Sequence, residues 1–348
     1  PLDQGGDDTV DSDVNALART ASFSLSGGTN DTTRDAGCYQ PAALGDFIWE
    51  DLNGNGQQDG GEPGLANTVV TLYNAASNLI GTTTSSVAGA YAFTNLVPGA
   101  YFVSFAPPAG YLFTTSNAGA DATDSDVLPG TNRTALITLV SGQADTTVDA
   151  GLFRLAALGD YTWVDANSNG QQDGGEPALS NVVVRLYDAA SNVVGTTTSS
   201  VTGAYAFPNL NPGAYQVGFT LPAGYAFTLA DTGADATDSD VLPGTNRTAQ
   251  VVLASGQTNL TVDAGAYIAV AIGDRIWFDA NRDGVQNTFE TNGIASVPVA
   301  LLDTNGTILA QTATDNQGYY LFSDLPVRTY VLRFDLSAVS TNEVLSPA

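Results

Sequence analysis

The chain has 348 residues, with 36 acidic side chains against 10 basic ones, all arginine, and a formal net charge of −26 without any His. Such a charge repels nucleic acid and anionic lipid, so neither is an expected partner, and its self-repulsion calls for bound cations or external salt. Without His or Lys the chain has no Ser–His or Cys–His nucleophile pair and no lysine base, so it is not expected to be an enzyme. In chain order, residues 1–39 carry strand-like runs such as Thr20–Leu25, together with Asp8, Asp11 and Asp13. A strand containing Trp49 then leads into an Asn- and Gly-rich loop over 51–62. Val69–Tyr73 is rich in β-branched and aromatic residues, and Ala90–Phe93 and Tyr101–Phe105 alternate with period two. That alternation puts Tyr101, Val103 and Phe105 on one face of a sheet. Pro98-Gly99 punctuates between runs, and the acidic group Asp121, Asp124 and Asp126 follows. The same succession then returns, with Trp163, Val182–Tyr187, Pro212-Gly213 and Asp235, Asp238, Asp240, and begins once more at Ile272.

The returning glycines Gly45, Gly159 and Gly273 set the repeat at 114 residues (159 − 45 = 114 and 273 − 159 = 114). A unit of that size suits one small domain. The expected division is residues 1–40 as the C-terminal part of a preceding repeat, complete repeats at 41–153 and 154–267, and an incomplete third at 268–348. Many short strands at regular spacing, with no sustained helical periodicity, predict an all-β tandem array of two-sheet sandwiches. The connectors Gln40–Ala43 and Arg154–Ala157 are short, which favours a rod over beads on a string. No segment has an 18-residue apolar run, so no membrane-spanning segment is expected. The chain starts at Pro1 with no signal peptide, as expected of a processed protein or a slice of a longer one. Its two ends are out of phase with the repeat. Two explanations stay open: a window cut from a long array, or an N-terminal segment that completes a neighbour's third sandwich by strand addition. Both give a head-to-tail arrangement of this chain with its own copies or neighbouring repeats.

The strongest chemical signal is the loop after each Trp strand. Counting Asp51 as position 1, oxygen-bearing residues fall at Asn53, Asn55, Gln57, Asp59 and Glu62, with Gly56 at position 6. This is the twelve-residue calcium loop spacing, in which a hard cation collects six to eight oxygens and position 7 gives its main-chain carbonyl. The second copy has Asp165, Asn167, Asn169, Gln171, Asp173 and Glu176, with Gly170 at the turn. The third has Asp279, Asn281, Asp283, Val285, Asn287 and Glu290. There Asp moves to position 5 and Asn to position 9, so the charge of the ligand positions is unchanged. A strand precedes each loop, which argues for a rigid structural site and against a helix–loop–helix sensor. Outside cells a weak affinity of about 10⁻⁴–10⁻³ M suffices.

Asp121, Asp124 and Asp126, repeated as Asp235, Asp238, Asp240 and as Asp8, Asp11, Asp13, form a second candidate cluster. In an extended chain Asp124 and Asp126 point to the same side and repel unless a cation lies between them. Asp149, Asp263 and Asp35, or Asp46, Asp160 and Asp274, are candidate additional ligands, and a solvated acidic turn is the alternative. Cys38 stands where the other copies carry Leu152 and Ala266, so a small apolar strand residue is expected there. Asn-X-Ser/Thr sequons at Asn30, Asn132, Asn246, Asn259 and Asn305 leave glycosylation open. Paired carboxylates also serve glycoside hydrolysis, but here they recur identically at calcium spacing in every unit, which suits a scaffold better than an active site.

The runs GDFIWEDLNGNGQQDGGEPGLANTVVTLY, GAYAFTNLVPGAYFVSF, DATDSDV and TVDAGLF together resemble the B-type repeat of serine–aspartate repeat surface proteins. The resemblance covers essentially the whole chain. It implies a prealbumin-like, Ig-like sandwich related to collagen-adhesin B-type domains, an extracellular or cell-surface location, Ca²⁺ in each repeat, and a stack that projects something outward. Related pilus domains are often locked by a Lys–Asn isopeptide bond, which a chain without lysine cannot form. The expected function is therefore a calcium-rigidified stalk or filament segment. Its rival is an adhesin that binds a glycan or protein ligand on exposed loops.

Overall fold

The computed structural model describes residues 11–15 and 17–338, which divide into two compact units between Arg154 and Leu155. In the first unit the strands are β1 (Ala42–Leu44), β2 (Ile48–Glu50), β3 (Val69–Asn74), β4 (Leu79–Thr84), β5 (Phe93–Leu96), β6 (Gly99–Ala106), β7 (Tyr111–Phe113), β8 (Ile137–Leu139), β9 (Ala144–Asp145) and β10 (Ala150–Arg154). One layer is the antiparallel sheet β4-β3-β6-β8. The other is split into β5-β1-β9 and β2-β10-β7, in which β1 runs parallel to β9 and β2 parallel to β10. The inward residues of both layers meet in one core that includes Leu44, Ile48, Val70, Leu72, Val103, Phe105, Leu139 and Leu152. Tyr101, Val103 and Phe105 lie together in that core, as the period-two reading of β6 requires. Tyr91 is buried among them, and its hydroxyl donates to the carbonyl of Val148 at 2.7 Å, so the ring packs without stranding its polar end.

The second unit begins with β11 (Ala156–Val164), which is continuous where the first repeat has β1 and β2. It continues through β12 (Val183–Asp188), β13 (Val193–Thr198), β14 (Ala204–Leu210), β15 (Gly213–Thr220), β16 (Tyr225–Phe227), β17 (Val251–Leu253), β18 (Thr258–Asn259) and β19 (Ala264–Ile268). The sheets are β13-β12-β15-β17 and β14-β11-β19-β16, with β18 also on β11. This repeats the first sandwich strand for strand. The same unit then holds β20 (Val270–Arg275), β21 (Pro298–Leu302), β22 (Ile308–Ala313), β23 (Tyr319–Leu325) and β24 (Val331–Phe334), paired as β20-β23 and β22-β21-β24. Their core is smaller, with Val299, Leu301 and Phe322 at its centre. The Tyr267 hydroxyl on β19 donates to the carbonyl of Asp324 at 2.7 Å, tying the second repeat to the third.

Two local expectations fail. Thr20–Leu25 is not a strand, and Phe23 and Leu25 are exposed. The segment has no sheet of its own repeat beside it, so its backbone groups find no ladder partner. For the same reason Cys38 is exposed and outside any strand, unlike the buried Leu152 and Ala266 at the matching positions.

Candidate metal centres

Each loop is built on a Trp floor. The Trp49 indole is fully buried, and Gly151 makes room for it: a Cβ there would lie 2.6 Å from both the indole Cζ2 and the Thr114 methyl. The glycine of the Asp-Ala-Gly motif is thus a packing requirement. Gly265 stands in the same relation to Trp163 and Thr228. Above this floor Asp51 is fully buried. Its Oδ1 accepts the Gly54 N–H at 2.6 Å. Its Oδ2 accepts the Gly56 N–H at 2.8 Å and the Thr114 hydroxyl at 2.6 Å. Gly56 has φ +83°, and a Cβ on it would strike the Thr115 carbonyl at 2.3 Å, so the sharp turn at position 6 admits only glycine.

At the far end Glu62 closes the loop, its Oε1 accepting the Leu52 N–H at 2.7 Å and its Oε2 the Asp59 N–H at 3.0 Å. Burial, with Asp51 and Asp59 nearby, pushes the Glu62 carboxyl up from its ordinary value. Between the ends, Asn53 and Asn55 both donate to Asp59 Oδ2 at 2.8 Å. Positions 1, 3, 5, 9 and 12 therefore belong to one hydrogen-bonded constellation. The second loop repeats it through Asp165, Asn167, Asn169, Asp173 and Glu176. In the third loop the exchanged residues invert the pattern. Asp283 at position 5 becomes the acceptor, taking bonds from Asn281 at 2.8 Å and Asn287 at 3.0 Å. The Asn287, Val285 and Asn281 bonds hold the Asp283 carboxyl below the usual range.

Position 7 does more than the spacing suggests. The Gln57 side chain donates to the Ala118 carbonyl at 3.2 Å, and Gln171 to the Thr232 carbonyl at 3.1 Å. The backbones of Gln57 and Asp124 form a β-bridge, as do those of Gln171 and Asp238. Loop and acidic cluster are thus adjacent parts of one surface. Val285 lacks the side chain for such a tie.

In the acidic cluster, oxygens of Asp121, Asp124 and Asp126 lie within 4.8 Å of one another. Asp149 joins from β10's entry: its N–H donates to Asp126 Oδ2 at 2.7 Å, and its own Oδ1 accepts the Phe47 N–H at 3.0 Å. Asp124 Oδ1 and Asp149 Oδ2 are buried without a hydrogen-bond partner. Burial, then the charge of Asp46, pushes the Asp149 carboxyl up to about 8; burial and the neighbouring aspartates push Asp126 up to about 7. Asp46 itself is raised by burial. The second repeat keeps the arrangement, with Asp263 up to about 8, Asp240 up to about 7, and Asp263 Oδ2 likewise orphaned. Asp238 is buried and accepts the Gly233 N–H at 2.7 Å, while Asp235 is exposed. In the N-terminal segment the outcome differs. Asp13 accepts the Asp35 N–H at 2.8 Å, the same contact as Asp126 makes with Asp149, but its other oxygen pairs with Arg34 at 2.6 Å. An arginine there supplies the countercharge. Asp11 is half-buried, and Asp8 lies outside the described residues.

Both groups of donors fit a calcium ion, being oxygens alone, with no sulfur or imidazole. The orphaned, buried carboxylate oxygens are the observation that calls for a cation, since such atoms are costly without one. Sequence reasoning missed Thr114 and Thr228, the hydroxyl partners of Asp51 and Asp165. Their one legible signal is the shared 63-residue spacing, lost in a threonine-rich chain.

Comparison with known proteins gives three tandem matches to the SdrD B-like domain, at residues 42–152, 156–266 and 270–344. Serine-aspartate repeat-containing protein F of Staphylococcus epidermidis is 37% identical over 344 residues, covering 96% of this chain and 20% of that protein. Serine-aspartate repeat-containing protein D of Staphylococcus aureus is 36% identical over 341 residues, covering 96% of this chain and 24% of that protein. The chain thus spans about a quarter or less of the length of these relatives. Among solved structures, BcpA, the major pilin subunit of Bacillus cereus, aligns with 85% of this chain and 88% of its own, at a TM-score of 0.24 and 11% identity. The Bacillus anthracis TIE protein aligns with 85% of this chain and 45% of its own, at a TM-score of 0.28 and 15% identity.

Proposed function

Because this chain belongs to the SdrD B-like domain family, we propose that its repeats are calcium-rigidified sandwiches of a stalk or filament, with a mechanical and not a catalytic task. The chain is extracellular, a cell-surface protein of that family. The carrying observation is the acidic centre beside each complete repeat's loop, where Asp124, Asp149 and Asp263 keep buried carboxylate oxygens that lack partners. In the loop centre Asp51, Asn53, Asn55, Asp59, Glu62 and the Gln57 carbonyl would hold one Ca²⁺. In the acidic centre Asp124, Asp126 and Asp149 would hold another, with Asp121 or Asp46 completing it. The bound ion supplies countercharge and crosslinks segments distant in sequence. The residues do the rest: Thr114 and the Gly54 and Gly56 N–H groups orient Asp51, and the Leu52 and Asp59 N–H groups orient Glu62.

The third repeat leaves its Trp strand more open than the first two do. Trp277 is only half-buried and Phe278 is exposed, whereas Trp49 and Trp163 are covered. The strands that pair with the Trp strand in the other repeats, β10 and β19, have no counterpart on that edge among the described residues. Calorimetric titration tests the metal assignment. Asp51→Ala with Glu62→Ala should remove one Ca²⁺ from the total, and an unchanged stoichiometry would reject the loop centre.

A further inference from the structure

The outer face of the β13-β12-β15-β17 sheet carries a charged groove that the stalk reading does not use. Arg185 on β12 pairs with Gly218 on β15, and Gly218 forms a bridge with Arg247. Arg185, Gly218 and Arg247 are therefore one row across two strands and a bridged loop residue. Val184 and Leu186, Val217 and Phe219 point into the core, so strand alternation turns Arg185 and Gly218 outward. The row places two arginines on backbones roughly 10 Å apart, with the edge of the Tyr187 ring resting over Gly218 between them. The groove above measures about 250 Å³ and is also lined by Tyr187, Thr220 and Asn246.

Three features set this groove apart. The Arg247 guanidinium lies 3.7 Å from the Tyr187 ring centroid, a stack that fixes its plane. The Arg185 Nη1 donates to the Thr220 hydroxyl at 3.2 Å, which anchors the second guanidinium and leaves most of its donors available. Among the described residues the ion pairs involve Arg34 and Arg154, and neither Arg185 nor Arg247 has a carboxylate partner. That lack is shared by most of the described arginines; what is particular here is that two of them line one groove. The first repeat shows the contrast. Its matching row is Thr71, Ser104 and Arg133, with one guanidinium, a side chain on the floor, and a looser stack of 5.1 Å on Phe102.

We propose that this groove on the second repeat binds an acidic sugar, its carboxylate held between Arg185 and Arg247. Preset guanidinium forks match a planar carboxylate. Thr220 and Asn246 offer the neutral hydroxyl and amide groups that read sugar hydroxyls. A side-chain carboxylate of a second copy has the same local chemistry, but that copy brings a charge of −26 with it, whereas one sugar acid brings a single charge. The proposal stands apart from the metal centres.

The test is an NMR titration of the whole chain, with calcium present, using glucuronate against glucose as the neutral control. Glucuronate should bind saturably at one site, weaken as salt rises, and outcompete glucose. The decisive variant is Arg185→Thr with Gly218→Ser, which gives the second repeat the residues that the first carries in the same ladder. A Cβ at Gly218 would come within 2.8 Å of Tyr187 Cε2, so the ring must move and the groove closes. Affinity should fall at least roughly tenfold, the scale of a lost charge-assisted contact, with the far-UV circular dichroism of the folded chain unchanged. Arg247→Gln should give the same loss independently. Equal glucuronate binding by the variants, or equal binding of glucose by the native chain, overturns the proposal. So does self-association of the native chain that the double variant abolishes, which would assign the carboxylate to a second copy.

Discussion

Asp149 is the residue on which the acidic centre turns. It is fully buried, one oxygen is held by the Phe47 N–H and the other has no partner. Its carboxyl is pushed up to about 8 and that of Asp126 up to about 7, against about 3.9 for a free aspartate. The raised values mean that the folded, metal-free chain binds more protons than the unfolded chain between those limits. This contribution to stability is complete at acid pH and is lost as pH rises through about 7 and about 8. The melting temperature of the chelated chain should therefore fall from about pH 4 and level off above about pH 8, the window between the unfolded and the folded values. Calcium should remove the fall, because the cation replaces the protons. Asp149→Asn should raise the melting temperature of the chelated chain near neutral pH and weaken calcium binding. A scan in which the substitution lowers the melting temperature and leaves calcium binding unchanged would mean that Asp149 is only a packing residue.

At the scale of the element, the loop and the segment after β7 act together through the Gln57–Asp124 bridge. Gly56→Ala puts a Cβ 2.3 Å from the Thr115 carbonyl at a left-handed φ, and should cost about 1–3 kcal/mol while disturbing both centres of the first repeat. Gly60→Ala is the control, since a Cβ there meets nothing within 4 Å. Equal melting temperatures and equal calcium stoichiometry for the two variants would contradict the coupling. Much of this was legible in the sequence. Alternation in Tyr101–Phe105 marked β6, and ligand spacing marked a loop in which Asn53 and Asn55 share Asp59 as acceptor while Asp51 and Glu62 hold the loop's backbone N–H groups. The bond from Thr114 to Asp51 was not legible, because it spans 63 residues and arises from the fold of two strands onto one Trp. Thr20–Leu25 misled for the opposite reason. Its composition suits a strand, but a strand also needs a neighbour to bond with.

At the scale of the whole molecule, a chain without lysine has no isopeptide lock and, with one cysteine, no internal disulfide. The described ion pairs are few, so bound cations are the available means of relieving a charge of −26. The link from Tyr267 to Asp324 joins the second and third repeats, beside the bond from the Ala269 N–H to the Gly224 carbonyl at 2.9 Å. Tyr267→Phe removes it, and should leave the melting temperature of each sandwich nearly unchanged while loosening their joint. The most direct test of calcium as the stiffening element is small-angle X-ray scattering of the whole chain, paired with thermal melting, in calcium and in chelator. Chelation should lower the melting temperature, and should shorten the maximum dimension as loops and joints loosen while the sheets persist. A maximum dimension and a melting temperature that are both indifferent to chelator would contradict a structural role for calcium.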